Sequence, residues 1–305
     1  MEAGLSWRPL YYKKRRKRHV CFWRWSQWVN AKLNFVVRYH VTRASLVACV
    51  VKLRGAVVKI FLLGATGNSG RRILRLALQR AHEVTAFVRD ETKLLSLVDR
   101  PIPPNLHLSI GDISKSADIA RVMVGHDVAI NAAGTVTEGS TFTQLVQTVV
   151  DSTIRSLGEG GRLWQFGSAS VLNVPGTHIM AVDLPKVPKV YEAHRTNLDA
   201  LRKSSLDWSM LCPGPMIASE NGKPTGDLRL SVDEWPMTRP AYTYVLPRLA
   251  WAFAFKQKVP ELTISYEDAA EVILDNLSKS GRFSRRRVGV ALPPGLRNYK
   301  DDVPH

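Results

Sequence analysis

Between Val58 and Leu292, two rhythms of apolar positions take turns. Val58–Leu63 is apolar throughout except for Lys59, as expected of a strand covered on both faces. Asn68–Arg80 then carries Ile73, Leu76 and Ala77 at helical spacing and predicts a helix. The alternation continues with strands over Glu83–Val88, Leu106–Ile110, Val128–Ala132, Arg162–Phe166 and Asp207–Leu211. Helices are predicted over Phe142–Leu157 and Tyr191–Ser204, with Val122–Val124 as a short helix end. Pro101, Pro103 and Pro104, the glycines of 158–161, and Cys212-Pro213-Gly214-Pro215 punctuate the pattern where an element cannot continue. Past Pro215 the rhythm is looser: a strand within Gly226–Val232, a helix over Tyr242–Phe255, a short strand over Leu262–Ser265, a helix over Glu267–Leu277 and a closing strand over Val288–Leu292. Repeated strand-helix units at this spacing predict an α/β fold, a doubly wound parallel sheet with helices on both faces. A small C-terminal substrate lobe, from about residue 215 onward, is woven from its last loops.

The first loop carries the clearest chemistry. Gly64, Ala65, Thr66, Gly67, Asn68, Ser69 and Gly70 form a G-x-x-G-x-x-G motif that follows a predicted strand and opens a predicted helix. In that context Gly64 permits the tight turn, Gly67 lets backbone amides approach a pyrophosphate, and Gly70 lets the helix lie close to the sheet. The helix N-terminus offers unpaired N–H groups to the phosphates, and the Thr66 and Asn68 side chains add donors. The sheet is therefore expected to be of the Rossmann type. At the end of the second strand, where an NAD-preferring site places an acid, stands Arg89. A guanidinium pairs with a 2′-phosphate that an acid would repel, so NADP(H) is favoured over NAD(H). Asp90 is expected to turn away or to pair with Arg89, and Arg71 and Arg72 are further phosphate candidates beside a reading as solvated surface. Two more loops fall at strand ends. Gly111-Asp112-Ile113 offers a carboxylate to an adenine amino group, and Ala132-Ala133-Gly134, after Asn131, lets the chain pass beside a ribose.

Composition changes the picture at one end only. The 305 residues hold 43 Lys and Arg against 26 Asp and Glu, a formal charge of +17 that by itself points to nucleic acid or an anionic membrane. Residues 1–57 hold thirteen of those cations and one acid, Glu2, together with four of the eight Trp. Three readings of this leader stand: a basic binding arm, an organelle presequence, or upstream sequence translated in error, with the working domain at 58–305. The leader is expected to be disordered. For 58–305 no nucleic-acid partner, membrane span or metal is expected, and the default state is a monomer. Three Cys without CxxC or zinc spacing fit a reducing, cytoplasmic compartment, or an organelle if the leader is a presequence. Cys212 reads as a small buried apolar side chain rather than a nucleophile.

The motifs GATGNSG (64–70), FVRD (87–90), GDI (111–113), NAAG (131–134), FGSAS (166–170), LRKSSLDWSMLCPGP (201–215) and ISYEDAAEVIL (264–274) resemble the atypical short-chain dehydrogenase/reductases of the NAD(P)H-binding, NmrA-like type. The resemblance includes the biliverdin reductase B/flavin reductase group. It implies an NADP(H) site on the residues above, with Pro213 and Gly214 near the nicotinamide. It also implies a hydroxyl beside hydride transfer, Ser168 or alternatively Ser170; a turn-capping serine is the plainer reading. The Tyr-x-x-x-Lys pair of many short-chain dehydrogenases is replaced by Tyr191 and Arg195, with His194 between them. Tyr191 is thus a candidate proton donor whose tyrosinate Arg195 can stabilise, and His194 packs against or lines the pocket, or is solvated at the helix start. The resemblance implies an NADPH-dependent reductase of a small electron-poor acceptor such as a quinone, flavin or tetrapyrrole. A lid over 221–255 would carry Trp235, Tyr242 and Tyr244 toward a flat acceptor, although the same aromatics suit a core. Two alternatives are a non-catalytic dinucleotide-binding redox sensor and a sugar-nucleotide epimerase or dehydratase.

Overall fold

The computed structural model describes residues 56–238 and 247–300. The expectations for the leader and for Tyr242 and Tyr244 fall outside these residues. A compact unit runs from Val57. Its first half is β1 (Lys59–Leu63), α1 (Asn68–Gln79), β2 (Glu83–Val88), α2 (Glu91–Leu95), β3 (Leu106–Ile110), α3 (Ser116–Met123), β4 (Val128–Asn131), α4 (Ser140–Leu157) and β5 (Arg162–Phe166). The second half is α5 (Glu192–Lys203), β6 (Asp207–Cys212), β7 (Met216–Ile217), β8 (Arg229–Val232), α6 (Pro247–Leu262), β9 (Ile264–Ser265), α7 (Tyr266–Leu274) and β10 (Arg286–Ala291).

The main sheet has the order β3-β2-β1-β4-β5-β6-β10-β8, and β7 and β9 form a separate parallel pair. Every ladder of the main sheet is parallel except β8 on β10. The order reverses between β1 and β4, the switch point where a doubly wound sheet opens its binding crevice. Register carries the strand ends to one edge. Leu63 lies opposite both Phe87 and Asn131, Asn131 opposite Gln165, and Phe166 opposite Leu211. The loops that follow all six strands β1–β6 therefore share that edge.

Two cores explain the continuous apolar strands. Phe61 and Leu63 of β1 face one core, with Ile119 and Met123 of α3 and Val146, Val149 and Val150 of α4. Ile60 and Leu62 face the other, with Ile73 and Leu74 of α1 and Ala269, Ala270 and Ile273 of α7. Side chains alternate across a strand, so a strand covered by helices on both sides needs apolar residues at every position.

Several boundaries differ from the sequence pattern. The short end at Val122–Val124 is the end of a helix that starts at Ser116. α2 has no counterpart in the pattern; its signal is Asp90, whose carboxylate accepts from the Lys93 N–H at 3.1 Å as an N-cap. A 3₁₀ turn over Lys189–Tyr191 precedes α5, which starts one residue after Tyr191. Leu262 ends α6 instead of opening a strand, and α6 runs through Pro260. Trp235 is buried and lies 4.9 Å from Phe255, so it belongs to the core and not to an exposed lid face.

Candidate dinucleotide site

The glycine loop has the geometry its spacing requires. Gly64 takes φ +79°, and a Cβ there would stand 2.6 Å from the backbone of Ala132 and Ala133. The β1 and β4 loops thus touch at the switch point. A Cβ on Gly70 would lie 2.0 Å from the Gly64 carbonyl oxygen, so only glycine lets α1 lie this close to the turn. Around Gly67 the nearest atom to such a Cβ is 3.4 Å away, which leaves the outer face of the loop open. Gly67 is the N-cap of α1 and supplies no side-chain cap, so the first-turn N–H groups of Asn68, Ser69 and Gly70 stay available to an anion. Thr66 and Ser69 are half-buried beside them, and Asn68 is exposed.

The two arginines of the helix start differ in how far the protein holds them. Arg72 Nε donates to Glu267 Oε1 at 3.0 Å, and its guanidinium lies over the Tyr266 ring. Arg71 Nη2 donates to Asn68 Oδ1 at 2.9 Å, which leaves the Asn68 amide N–H groups free to donate. Arg72 is thus engaged by α7, while Arg71 Nε is buried without a protein partner and keeps a donor for an anion. Glu267 also accepts from the Ser219 N–H at 3.0 Å. Burial opposes its charge, but the Ser219 N–H and the Arg72 guanidinium outweigh it and hold the carboxyl below the usual range.

Arg89 is exposed at the end of β2. Asp90 turns into the α2 N-cap, so it does not neutralise its neighbour. At the end of β3, Asp112 Oδ1 accepts from the Ser114 N–H at 2.9 Å. The Ser114 hydrogen bonds pull the Asp112 carboxyl below its ordinary range, and Arg89 acts in the same direction across the strand ends. Ile113 packs beneath this loop against the core of α3 and α4. In the β4 loop, the buried Asn131 donates to Gln165 Oε1 at 2.8 Å and accepts from the Ala133 N–H at 3.1 Å. This fixes the path of Ala132 and Ala133. Gly134, at φ +87°, passes over Phe142, where a Cβ would come within 2.6 Å of the ring.

Beyond β5, Ser168 caps the 3₁₀ turn Ala169–Val171 and accepts from the Ser170 N–H at 3.2 Å. The capping role is therefore present, and the hydroxyl proton remains free to be donated. Next to it, the Pro213 carbonyl accepts from the Ala169 N–H at 2.7 Å, which ties the β5 and β6 loops together. Gly214 donates to the Leu262 carbonyl at 3.1 Å, in a space where a Cβ would collide with Leu262.

Tyr191 and His194 stack at 6.4 Å, and Phe142 meets the imidazole edge-on at 5.5 Å. His194 is buried rather than solvated, and burial lowers its pKa to about 4, so it is neutral at pH 7. Arg195 does not support a tyrosinate at Tyr191: it is ion-paired with Asp183 and, at 3.0 Å, with Glu192. Burial pushes the Cys212 thiol up to about 12, which makes it inert. The 3₁₀ turn Ala169–Val171 packs on α5. On these two elements Ser170 Oγ, His194 Nδ1 and both amide atoms of Asn197 are buried without a protein partner. Buried polar atoms in native proteins find a partner in water or ligand, so these four atoms call for one. Asn197 escaped the sequence reading; its signal is a polar residue in the apolar stripe of α5, between His194 and Leu201. Among the described residues no cluster of His, Cys, Asp and Glu can hold a metal, and no helix is long and apolar enough to cross a membrane.

The open glycine loop, the uncapped helix and the small-residue β4 loop at the switch point fit a dinucleotide, and together they define an NAD(P)-binding Rossmann protein. The NAD(P)H-binding family model matches residues 64–245, and the chain belongs to that family. It is 25% identical over 248 residues to YwnB of Bacillus subtilis strain 168, covering 74% of this chain and 97% of that protein. A Burkholderia pseudomallei protein described as exported is 27% identical with a TM-score of 0.57, over 77% of this chain and all of the other. A short-chain dehydrogenase/reductase from Veillonella parvula DSM 2008, solved with NADP, shares the fold at 16% identity and a TM-score of 0.55, over 80% of this chain and 98% of that one.

Proposed function

We propose that the protein is an NADPH-dependent oxidoreductase that reduces a small, planar, electron-poor acceptor such as a quinone, flavin or tetrapyrrole. The observation that supports the cofactor preference is Arg89: it is exposed at the end of β2 with Asp90 drawn off into a helix cap, and would pair with a 2′-phosphate. Asn68, Ser69 and Gly70 would hold the pyrophosphate on the α1 N-terminus, and Asp112 and Ile113 would border the adenine. When bound, the nicotinamide supplies the hydride, that is, two electrons and one proton.

The protein's own contribution is then modest. Ser168 donates its hydroxyl proton to the acceptor oxygen or nitrogen and is reprotonated from water. Pro213 and Gly214, fixed by Ala169 and Leu262, form the floor beside the reacting ring. An alcohol dehydrogenase of the Tyr-Lys kind is disfavoured, because Arg195 is bound to Asp183 and a neutral, buried His194 flanks Tyr191. The same observation favours a second reading, a dinucleotide-binding sensor without turnover.

The two readings separate in one experiment. The purified chain is mixed with NADPH, and absorbance at the dihydronicotinamide band is followed with a panel of quinones and free flavins. Turnover with at least one acceptor, reduced in Ser168→Ala, is expected of the reductase. Tight NADPH binding without oxidation across the panel would leave the sensor.

A further inference from the structure

The last turns of α6 and the chain segment at 297–300 enclose a cavity of about 590 Å³, within the usual range for a small-molecule site. The Asn298 N–H donates to the Pro260 carbonyl at 2.9 Å, and this bond pins the segment against the helix. None of the glycine loop, Arg89 or Asp112 lines the cavity. Its walls combine exposed aromatic surface with positive charge. Phe253 and Tyr299 are large aromatic side chains that keep 57% and 53% of their surface in water. Lys256, Arg297 and Lys300 bring positive charge around them, and among the described residues no carboxylate lines the cavity. Among the described residues none of these three cations is in a salt bridge, whereas Lys258 on the same rim is neutralised by Glu261 at 2.6 Å.

We propose that this cavity is a second binding site, for a planar aromatic anion. A flat ring covers the exposed faces of Phe253 and Tyr299, where burial of apolar surface and ring contact both favour it. One carboxylate, sulfonate or phosphate on the ring draws Lys256, Arg297 and Lys300 together and relieves their mutual repulsion. A neutral aromatic would leave the cations unpaired, and a small inorganic anion would leave the rings wet. The ligand therefore needs both halves.

The test uses a matched pair of probes. The full chain is titrated with 1-pyrenesulfonate and with uncharged 1-pyrenemethanol, followed by fluorescence anisotropy at low salt. The sulfonate is expected to bind with one-to-one stoichiometry and about tenfold more tightly than the alcohol. That advantage should shrink as salt shortens the reach of the three cations. Lys256→Glu with Arg297→Glu should abolish the advantage while NADPH affinity stays unchanged. A chain with the Lys13–Arg18 run changed to serine should keep it, which separates this site from the basic leader. Lys256→Gln with Arg297→Gln gives an intermediate loss and guards against a folding defect in the charge-reversed protein. Equal affinity for the two probes, or an advantage that survives charge reversal at 256 and 297, would overturn the proposal.

Discussion

At the scale of single residues, the site rests on atoms that are not there. Gly70 has no side chain, and a methyl group in its place would sit 2.0 Å from the Gly64 carbonyl. Gly70→Ala must push α1 away from the turn. We expect a stability loss of about 3 kcal/mol and a matching loss of NADPH affinity, read by thermal melting and titration. A variant that melts and binds like the parent would show the contact to be soft. His194 makes a pH prediction. Its pKa, lowered to about 4 by burial, lies below that of an unfolded histidine, so between these values the unfolded chain holds more protons. Stability from this group is complete above about pH 6.5 and is lost as pH falls toward 4, by about 3 kcal/mol in full. The melting temperature of His194→Leu should lose that part of the acid slope. Identical slopes in both proteins would refute it. The glycines were legible in the sequence because their role is local to one turn. The unpartnered Asn197 and Ser170 were not, because a polar residue on a helix declares its burial only when the facing element is known.

At the scale of elements, strands were the easiest to read. β2, β3 and β5 have the limits read from the sequence, because turn-forming Gly and Pro or a change of hydrophobic period bounds each of them. α6 was harder. Lys256, Lys258 and Pro260 look like a helix end, yet the helix continues to Leu262. Lys258 bridges to Glu261 one turn on, and Glu261 also holds Arg229 at 2.7 Å, a long-range tie invisible in the sequence. α7 is held in a comparable way. Glu267 links it to Arg72 of α1 and to the Ser219 N–H, while Asp268 accepts from the Thr225 N–H. Glu267→Gln keeps the size but weakens both charge-assisted bonds, at a cost of about 2 kcal/mol. Hydrogen exchange should then quicken in residues 218–226 and at the start of α1, while the β5–β6 ladder keeps its protection. Unchanged exchange at Ser219 would mean that this carboxylate does not anchor the loop.

At the scale of the whole molecule, strand order brings the loops of the dinucleotide site together. The order 3-2-1-4-5-6 gathers Gly64–Gly70, Arg89, Asp112 and Ala132–Gly134 at one edge from widely separated stretches of chain. This gathering was legible because each loop follows a strand of recognisable type. The acceptor side was not, because residues beyond Pro215 follow no repeating unit. The excess of positive charge lies mostly in residues 1–57, and in the remainder Arg89 is the cation we propose meets the dinucleotide. The central claim is that Arg89 reads the 2′-phosphate of the dinucleotide. Calorimetric titration of the full chain and of Arg89→Ala with NADPH and NADH tests it most directly. NADPH should bind the parent about tenfold or more tightly than NADH, and Arg89→Ala should lose that preference with NADH affinity unchanged. Equal affinities in the parent, or a preference that survives the substitution, would contradict it.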